Sequence, residues 1–295
     1  EELHFFIGKD GVFSSIFDFK QTCLGQEGKG WFDHSLPTAD ELKESIFQAH
    51  ERADSIGVLS TIIENHDEPR GVSHYIAEGP VNDTSKKALG TIQVLRKGIP
   101  FIYQGQEIGM ENQVFESIED FDDIATINGY HVAKEAGLSE EEALAVIANY
   151  SRDNARTPMQ WSAEPGLGFS DGPAWLISPK PDYSINVEDQ EKDPDSILNY
   201  YRQLTALYRH PLYGNTIRFG DMIPAYRERE NIIGFERRGD KRLLVISNFQ
   251  NRQATLELTA PIKTVVLNNT AGLFQEGDQV LELAPYQTVV LELVE

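Results

Sequence analysis

Six residues with polar or ionisable side chains crowd the second half of the stretch TIIENHDEPR, residues 61–70. The first half is apolar or β-branched, as in a buried strand. The adjacent His66 and Asp67 suit three kinds of chemistry: a metal pair, an acid–base pair or a clamp on substrate hydroxyl groups. A carboxylate also stabilises the oxocarbenium-like charge that develops when a glycosidic bond breaks.

Two of these alternatives have little support elsewhere in the chain. No second histidine follows His66 at ligand spacing, and Cys23 is the only cysteine, which weakens the case for a metal site. A Ser-His-Asp triad lacks a serine in a G-x-S-x-G turn. Glycoside chemistry is therefore attractive from these residues, but they do not establish it.

The elements that position these residues alternate between strand and helix. Apolar patterns predict strands at residues 12–19, 58–63 and 99–103, and helices at 38–53, 86–97 (with Gly98 as C-cap) and 193–211. This order is typical of parallel strands with crossover helices, whose functional sites lie at the C-terminal strand ends. The segments ENHDEPR and QGQEIGM both follow such strands, so we expect them to lie together. The alternative is that both are solvated loops.

The bulk properties of the chain exclude some classes of partner. The 295 residues carry a formal net charge of -21, which disfavours nucleic acid and anionic membrane surfaces because their phosphates would be repelled. No apolar run approaches the roughly 20 residues of a membrane helix. The single cysteine, Cys23, rules out an internal disulfide and favours a reducing, cytoplasmic location. After residue 211, short β-rich runs separated by turns predict an antiparallel sandwich.

Three motifs together resemble one enzyme family. The motifs IIENHDEPR, PFIYQGQEIGM and SRDNARTPMQW resemble the α-amylase superfamily (glycoside hydrolase family 13), in its oligo-1,6-glucosidase and dextran glucosidase (glucan 1,6-α-glucosidase) branch. The resemblance implies that residues 1–211 form the C-terminal portion of a (β/α)8 TIM barrel, containing about strands 6–8. It implies that residues 212–295 form an all-β antiparallel sandwich domain.

The resemblance also implies roles for individual side chains. Asp67 matches the family's third invariant carboxylate, and His66 matches the histidine that binds the same sugar. Arg156 matches an arginine that pairs with an upstream aspartate at the closed end of the pocket. Arg70 is expected to bind substrate or, as the favoured alternative, to form a structural ion pair with Glu64 or Glu107.

Other residues near these motifs receive supporting roles. Glu107 is expected to brace the site, and Gln104 to shape the end of its strand. Trp161 and Trp175 are both candidates for stacking on sugar rings. Core packing is favoured for Trp161 because it follows Met159 in a compact motif.

Parts of the family pattern are missing. The motifs that carry the family's nucleophile and its acid/base are absent, so we expect this chain to be the C-terminal part of an enzyme, inactive alone. Its expected partners are a small gluco-oligosaccharide and the missing N-terminal half of the barrel. No cofactor is expected in this chain. Relatives bind calcium near the first barrel loops, which lie outside it.

The resemblance predicts a retaining, exo-acting α-glucosidase that hydrolyses α-1,6-linked gluco-oligosaccharides of the isomaltose type. Alternatives with the same chemistry are a trehalose-6-phosphate hydrolase, a sucrose isomerase and an α-1,4-glucosidase. A further alternative is a non-catalytic relative that associates with an amino-acid transporter.

Overall fold

The computed structural model describes residues 2–26, 28, 30–272 and 274–295. Its α-helices are α1 (Leu3–Phe6), α2 (Ala39–Ala53), α3 (Gly71–Tyr75), α4 (Asp83–Leu95), α5 (Ile124–Glu135), α6 (Glu140–Tyr150), α7 (Val187–Lys192), α8 (Ile197–Leu207) and α9 (Gly214–Phe219). Its strands are β1 (Ser15–Phe17), β2 (Val58–Thr61), β3 (Ile99–Pro100), β4 (Asp221–Ala225), β5 (Ile232–Arg238), β6 (Arg242–Asn248), β7 (Ala254–Glu257), β8 (Ile262–Asn268), β9 (Val280–Leu283) and β10 (Thr288–Leu293). No helix of the described residues is long and apolar enough to span a membrane.

The first three strands form a parallel sheet in the order β1-β2-β3. Helix α2 connects β1 to β2, and α3 and α4 connect β2 to β3, so each parallel pair has a helical crossover. The strands are shorter than their apolar runs predicted. Past β2, the carbonyl of Ile62 accepts hydrogen bonds from the side chains of Gln21 and Arg96, so the backbone leaves the ladder there.

Capping residues define the helix boundaries and correct two predictions. Helix α4 begins at Asp83 rather than residue 86, because Asn82 and Ser85 form a reciprocal capping box. Its C-cap is Arg96, not Gly98. Gly98 instead has φ +145°, and a Cβ there would lie 2.7 Å from the carbonyl oxygen of Leu59 in β2.

Helix α8 begins later than the Asp-Pro pair at 193–194 suggested. Ser196 is its N-cap, and its side chain accepts a hydrogen bond from the backbone N–H of Asn199. Asp193 instead accepts a hydrogen bond from the backbone N–H of Asp195, in a turn before the helix. A proline two residues before an N-cap is compatible with such a turn.

The C-terminal region is all β. A five-stranded antiparallel sheet has the order β4-β5-β6-β10-β8, and β7 pairs with β9. One apolar cluster packs this sheet against the helices, with Phe235, Val245 and Val290 beside Leu89 and Tyr201. A second cluster lies between the two sheets. The hydrophobic core therefore runs across residue 212, and the expected division of the chain at that residue stays a prediction.

The parallel sheet presents apolar side chains that the described residues cover only in part. Phe17, Val58, Ile99 and Phe101 are each at least 40% exposed. Among the described residues, β1 and β3 each pair with one neighbouring strand only, so each leaves an open edge. An open edge beside an apolar face is a surface that proteins normally cover.

Candidate active site

A cavity of about 420 Å³ opens at the C-terminal ends of β1–β3. The segment after β2 supplies much of its wall, as the position of the polar cluster predicted. The lining residues are Phe17, Phe19, Thr22, Ile62, Glu64, Asn65, His66, Asp67, Glu68, Phe101, Ile102 and Tyr103. The cavity thus combines apolar walls with a few convergent polar groups, the usual composition of a small-molecule site.

Asp67 lies at the centre of an exposed ion cluster. Its Oδ1 accepts hydrogen bonds from Arg156 Nη2 at 3.0 Å and from Arg152 Nη1 at 3.2 Å. Its Oδ2 lies 3.3 Å from His66 Nε2. The carboxylate is about half exposed and His66 is 71% exposed, so a ligand in the cavity can reach both.

The two arginines come from one short turn. Residues Arg152–Ala155 form a 3-10 turn whose N-cap, Ser151, accepts a hydrogen bond from the backbone N–H of Asp153. From its first residue and its C-cap, both guanidinium groups reach Asp67 Oδ1. Arg156 Nε also donates to the carbonyl of His66 at 2.9 Å, which fixes the backbone next to Asp67.

Sequence reasoning missed Arg152 and its partner Asp123. Arg152 Nε donates to Asp123 Oδ1 at 2.7 Å, and Asp123 caps α5 through the backbone N–H groups of Ala125 and Thr126. Burial opposes ionisation of Asp123, but the hydrogen bonds from Arg152 and Thr126 outweigh it and hold its pKa below the ordinary value. The available signal for Arg152 was its place beside Arg156 in the same RDNAR motif. The sequence carries no local signal for Asp123.

Arg70 lies behind the cavity wall instead of facing it. The side chain is fully buried, and its Nη1 lies 3.1 Å from Glu64 Oε1 and 2.7 Å from the carbonyl oxygen of Gln104. Its guanidinium also lies 5.5 Å from the ring centre of Tyr103. This geometry agrees with the favoured expectation, a structural ion pair of Arg70 with Glu64, and corrects the alternative, a substrate-binding role. Complete burial raises the pKa of Glu64, and Arg70 opposes that effect.

The loop after β3 supports this inner pair. Gln104 contributes its backbone carbonyl to Arg70. Glu107 folds back so that its Oε2 accepts a hydrogen bond from the backbone N–H of Gly105 at 2.8 Å. Tyr103 donates its hydroxyl to the carbonyl of Ala155, which ties this loop to the turn that carries the arginines. Both loops are thus held at fixed positions around the cavity.

The two candidate tryptophans are both exposed. Trp161 is 49% exposed, so the expectation of core packing was wrong, although Met159 before it is buried. The backbone N–H of Trp161 donates to the carbonyl of Leu167. Trp175 is 67% exposed, and its indole N–H donates to Asp122 Oδ2 at 2.7 Å.

No group of three or more His, Cys, Asp or Glu side chains among the described residues is arranged to hold a metal ion. The calcium that the resemblance implies concerns loops outside this chain, and that expectation stays a prediction.

Comparisons with known proteins agree with this architecture. The family profile "Alpha amylase, catalytic domain" matches residues 8–212, and the profile "Alpha-amylase SusG C-terminal domain" matches residues 232–290. The chain therefore belongs to the alpha-amylase family. Its fold is the C-terminal part of that family's (β/α)8 barrel followed by an antiparallel β domain, which confirms the predicted fold class.

Individual relatives align over most of this chain. An oligo-1,6-glucosidase of Halalkalibacterium halodurans is 36% identical over 286 residues, which are 93% of this chain and 49% of the relative. The crystal structure of isomaltulose synthase from Klebsiella sp. LX3 matches with a TM-score of 0.87 and 30% identity, over 96% of this chain and 51% of that one. The crystal structure of Bacillus licheniformis trehalose-6-phosphate hydrolase matches with a TM-score of 0.86 and 30% identity, over 95% of this chain and 51% of that one. The chain spans about half the length of these relatives.

Proposed function

We propose that this chain forms the sugar-binding part of a retaining, exo-acting α-glucosidase that hydrolyses α-1,6-linked gluco-oligosaccharides of the isomaltose type. The observation that carries the proposal is the exposed Asp67 carboxylate, oriented by two arginines beside His66 in a cavity at the strand ends. The named oligo-1,6-glucosidase relative supports the choice of linkage.

The site residues suit this reaction in distinct ways. The Asp67 carboxylate accepts hydrogen bonds from sugar hydroxyl groups, and its negative charge favours the oxocarbenium-like transition state. Both arginines bind the same oxygen, Oδ1, which fixes the plane of the carboxylate and leaves Oδ2 directed toward His66. His66 binds a second hydroxyl group, and the apolar wall excludes water from the sugar.

A retaining mechanism needs two further carboxyl groups, a nucleophile and an acid, about 5–5.5 Å apart. We propose that a polypeptide carrying the remaining barrel strands supplies both and covers the exposed Phe17, Val58, Ile99 and Phe101. On this proposal the 295 residues are inactive alone. Neither nucleic acid nor a membrane is a proposed partner, and the lone cysteine, Cys23, supports a cytoplasmic location.

The charge of the cavity argues against one alternative in particular. Among the described lining residues are the carboxyl groups of Glu64, Asp67 and Glu68 but neither lysine nor arginine. The two nearby arginines are already bound to Asp67 and Asp123. A phosphorylated sugar is therefore a poor ligand for this wall, although a trehalose-6-phosphate hydrolase is among the similar structures. The substrates of a sucrose isomerase and of an α-1,4-glucosidase are uncharged, as isomaltose is, so the charge of the wall does not distinguish among these three activities.

The experiment that tests the proposal is complementation. The 295-residue chain is assayed on p-nitrophenyl α-glucoside alone and after coexpression with the N-terminal half of an oligo-1,6-glucosidase. We expect turnover only in the complemented sample, and faster hydrolysis of isomaltose than of maltose. Turnover by the chain alone contradicts its dependence on a second half, and a strong preference for maltose contradicts the assigned linkage. A complemented sample that isomerises sucrose instead of hydrolysing isomaltose supports the isomerase alternative.

A further inference from the structure

Glu68 is a carboxyl group of the cavity wall that the proposed reaction does not use. It follows Asp67 directly and lies between the strand-end segments of β1 and β2, near Phe17, Phe19 and Thr22. In the same part of the wall, the Thr22 hydroxyl donates to the carbonyl of Phe19 at 2.7 Å. Glu68 therefore lies where the polar part of the wall meets the apolar part.

Glu68 differs from the other acidic groups of the site in having no cationic partner. Asp67 binds two arginines, Glu64 binds Arg70, and Asp123 binds Arg152. Within the described part of the chain, Glu68 forms no ion pair. Among the acidic groups of the described wall, Glu68 therefore carries the negative charge that no neighbouring cation neutralises.

The surroundings of Glu68 make this charge depend on pH. Burial, the largest cause, and the nearby Asp67 together raise the pKa of Glu68 to about 7, against the opposing effect of Thr22. The other titratable groups around it are His66 on the same segment and Tyr75 on α3, whose own pKa is raised by burial and by Glu68. Below pH 7 the carboxyl group is a neutral hydrogen-bond donor, and above pH 7 it is a carboxylate.

We propose that Glu68 is the specificity-determining residue that makes this pocket select uncharged sugars over phosphorylated ones. This inference rests on the proposed function, because it assumes that the cavity binds glucosides. The carboxyl group contacts sugar hydroxyl groups in either protonation state. When it is ionised it also repels a phosphate in the same cavity, since a like charge in a partly desolvated site is destabilising.

The test compares two ligands that differ by one phosphate group. Trehalose and trehalose 6-phosphate are titrated into the isotope-labelled 295-residue chain, with isomaltose as the reference ligand, and dissociation constants are read from NMR shifts of the cavity amides. At pH 8 we expect Glu68→Gln to improve binding of trehalose 6-phosphate relative to trehalose about five- to tenfold, the size of one screened charge–charge repulsion. The matched control is Glu257→Gln, which removes the same charge from an exposed position on β7 and is expected to leave the ratio unchanged.

A second readout needs no variant. When the pH is lowered from 8 to 6, the wild-type chain is expected to improve its binding of trehalose 6-phosphate relative to trehalose, as Glu68→Gln does at pH 8. The reason is that the carboxyl group becomes protonated while the phosphate keeps at least one charge. An equal ratio in wild type and Glu68→Gln at pH 8, or an equal shift in Glu257→Gln, overturns the inference. If isomaltose binds while the ratio does not respond, the inference falls and the proposed function stands. If neither isomaltose nor trehalose binds to the wild-type chain, both fall.

Discussion

Residues 64–70 contribute carboxylates to two groups of ion pairs, one buried and one exposed to the cavity. Glu64 and Arg70 form an inner pair with side-chain exposures of 1% and 0%. Asp67, three residues after Glu64, meets Arg152 and Arg156 in an outer cluster, where the carboxylate is 51% exposed. The partners of the inner pair are close in sequence, whereas Arg152 reaches Asp67 across 85 residues.

The difference separates a structural role from a functional one. A buried ion pair is fully desolvated, so it is costly to break and is inaccessible to a ligand. An exposed cluster contributes little to stability, because water and salt screen its charges. The outer groups are therefore free to exchange their partners for sugar hydroxyl groups. The inner pair holds the segment in the conformation that presents them.

Breaking the inner pair is expected to give the largest effect on stability. Arg70→Met leaves Glu64 buried without a cation and should lower the free energy of unfolding by about 3–5 kcal/mol. Urea unfolding measures this loss, and adding Glu64→Gln should recover part of it because the uncompensated charge is then removed. Lys192→Met, which breaks an exposed pair with Glu188, is the matched control and should cost less than about 1 kcal/mol. A loss below about 1 kcal/mol for Arg70→Met contradicts the structural role.

Part of the pH dependence of stability should arise from a buried histidine on α3, the helix that follows this segment. His74 on α3 is buried, and burial lowers its pKa to about 4, with a smaller contribution from His34. The unfolded chain takes up this proton below about pH 6.5, but the folded chain does so only near pH 4. Stability should therefore fall between these values, by on the order of 3 kcal/mol in total. His74→Phe should flatten this part of the profile in thermal or urea unfolding.

The matched control for that profile is His131→Phe, because His131 is exposed. Its curve should follow wild type from pH 7 to pH 4. An unchanged slope in His74→Phe would mean that other groups cause the loss at acid pH.

Changing the outer cluster should affect binding more than folding. Arg156→Met removes the 3.0 Å contact with Asp67, the bond to the carbonyl of His66 and a 3.9 Å ion pair with the buried Asp153. We expect a cost in unfolding free energy of about 2 kcal/mol or less, below that of Arg70→Met, and a roughly tenfold higher dissociation constant for isomaltose. Arg202→Met, which breaks an exposed pair with Glu191, should change neither quantity. A large loss of stability without loss of binding reverses the assignment of inner and outer roles.

The fold was predictable where the pattern is local. Alternating apolar strands and helices indicated the parallel β/α order, and α2 begins at Ala39, after the Thr38–Glu41 capping box, within one residue of its predicted start. Strand ends were less predictable, because side chains distant in sequence, such as Arg96, take over the carbonyl of Ile62. The apolar run itself contains no sign of that competition.

The site was predictable only in part for a similar reason. Adjacent polar residues indicated that His66 and Asp67 lie together at a strand end, and the structure brings both to the cavity. For Arg70 the sequence favoured an ion pair with Glu64 or Glu107 but left substrate binding open, because a charged side chain gives no local sign of burial; the structure shows the pair with Glu64. For Trp161 the prediction of core packing was wrong, because its side chain is 49% exposed.

The role of Asp67 is tested most directly by Asp67→Asn in the complemented enzyme, measured for unfolding and for isomaltose hydrolysis in parallel. We expect a melting temperature close to that of the wild type, because the carboxylate is half exposed. We expect a kcat lower by about 10²–10³-fold, because the lost charge stabilises the transition state. A near-wild-type kcat would contradict the central claim that the outer cluster is the sugar-binding site of a glucosidase.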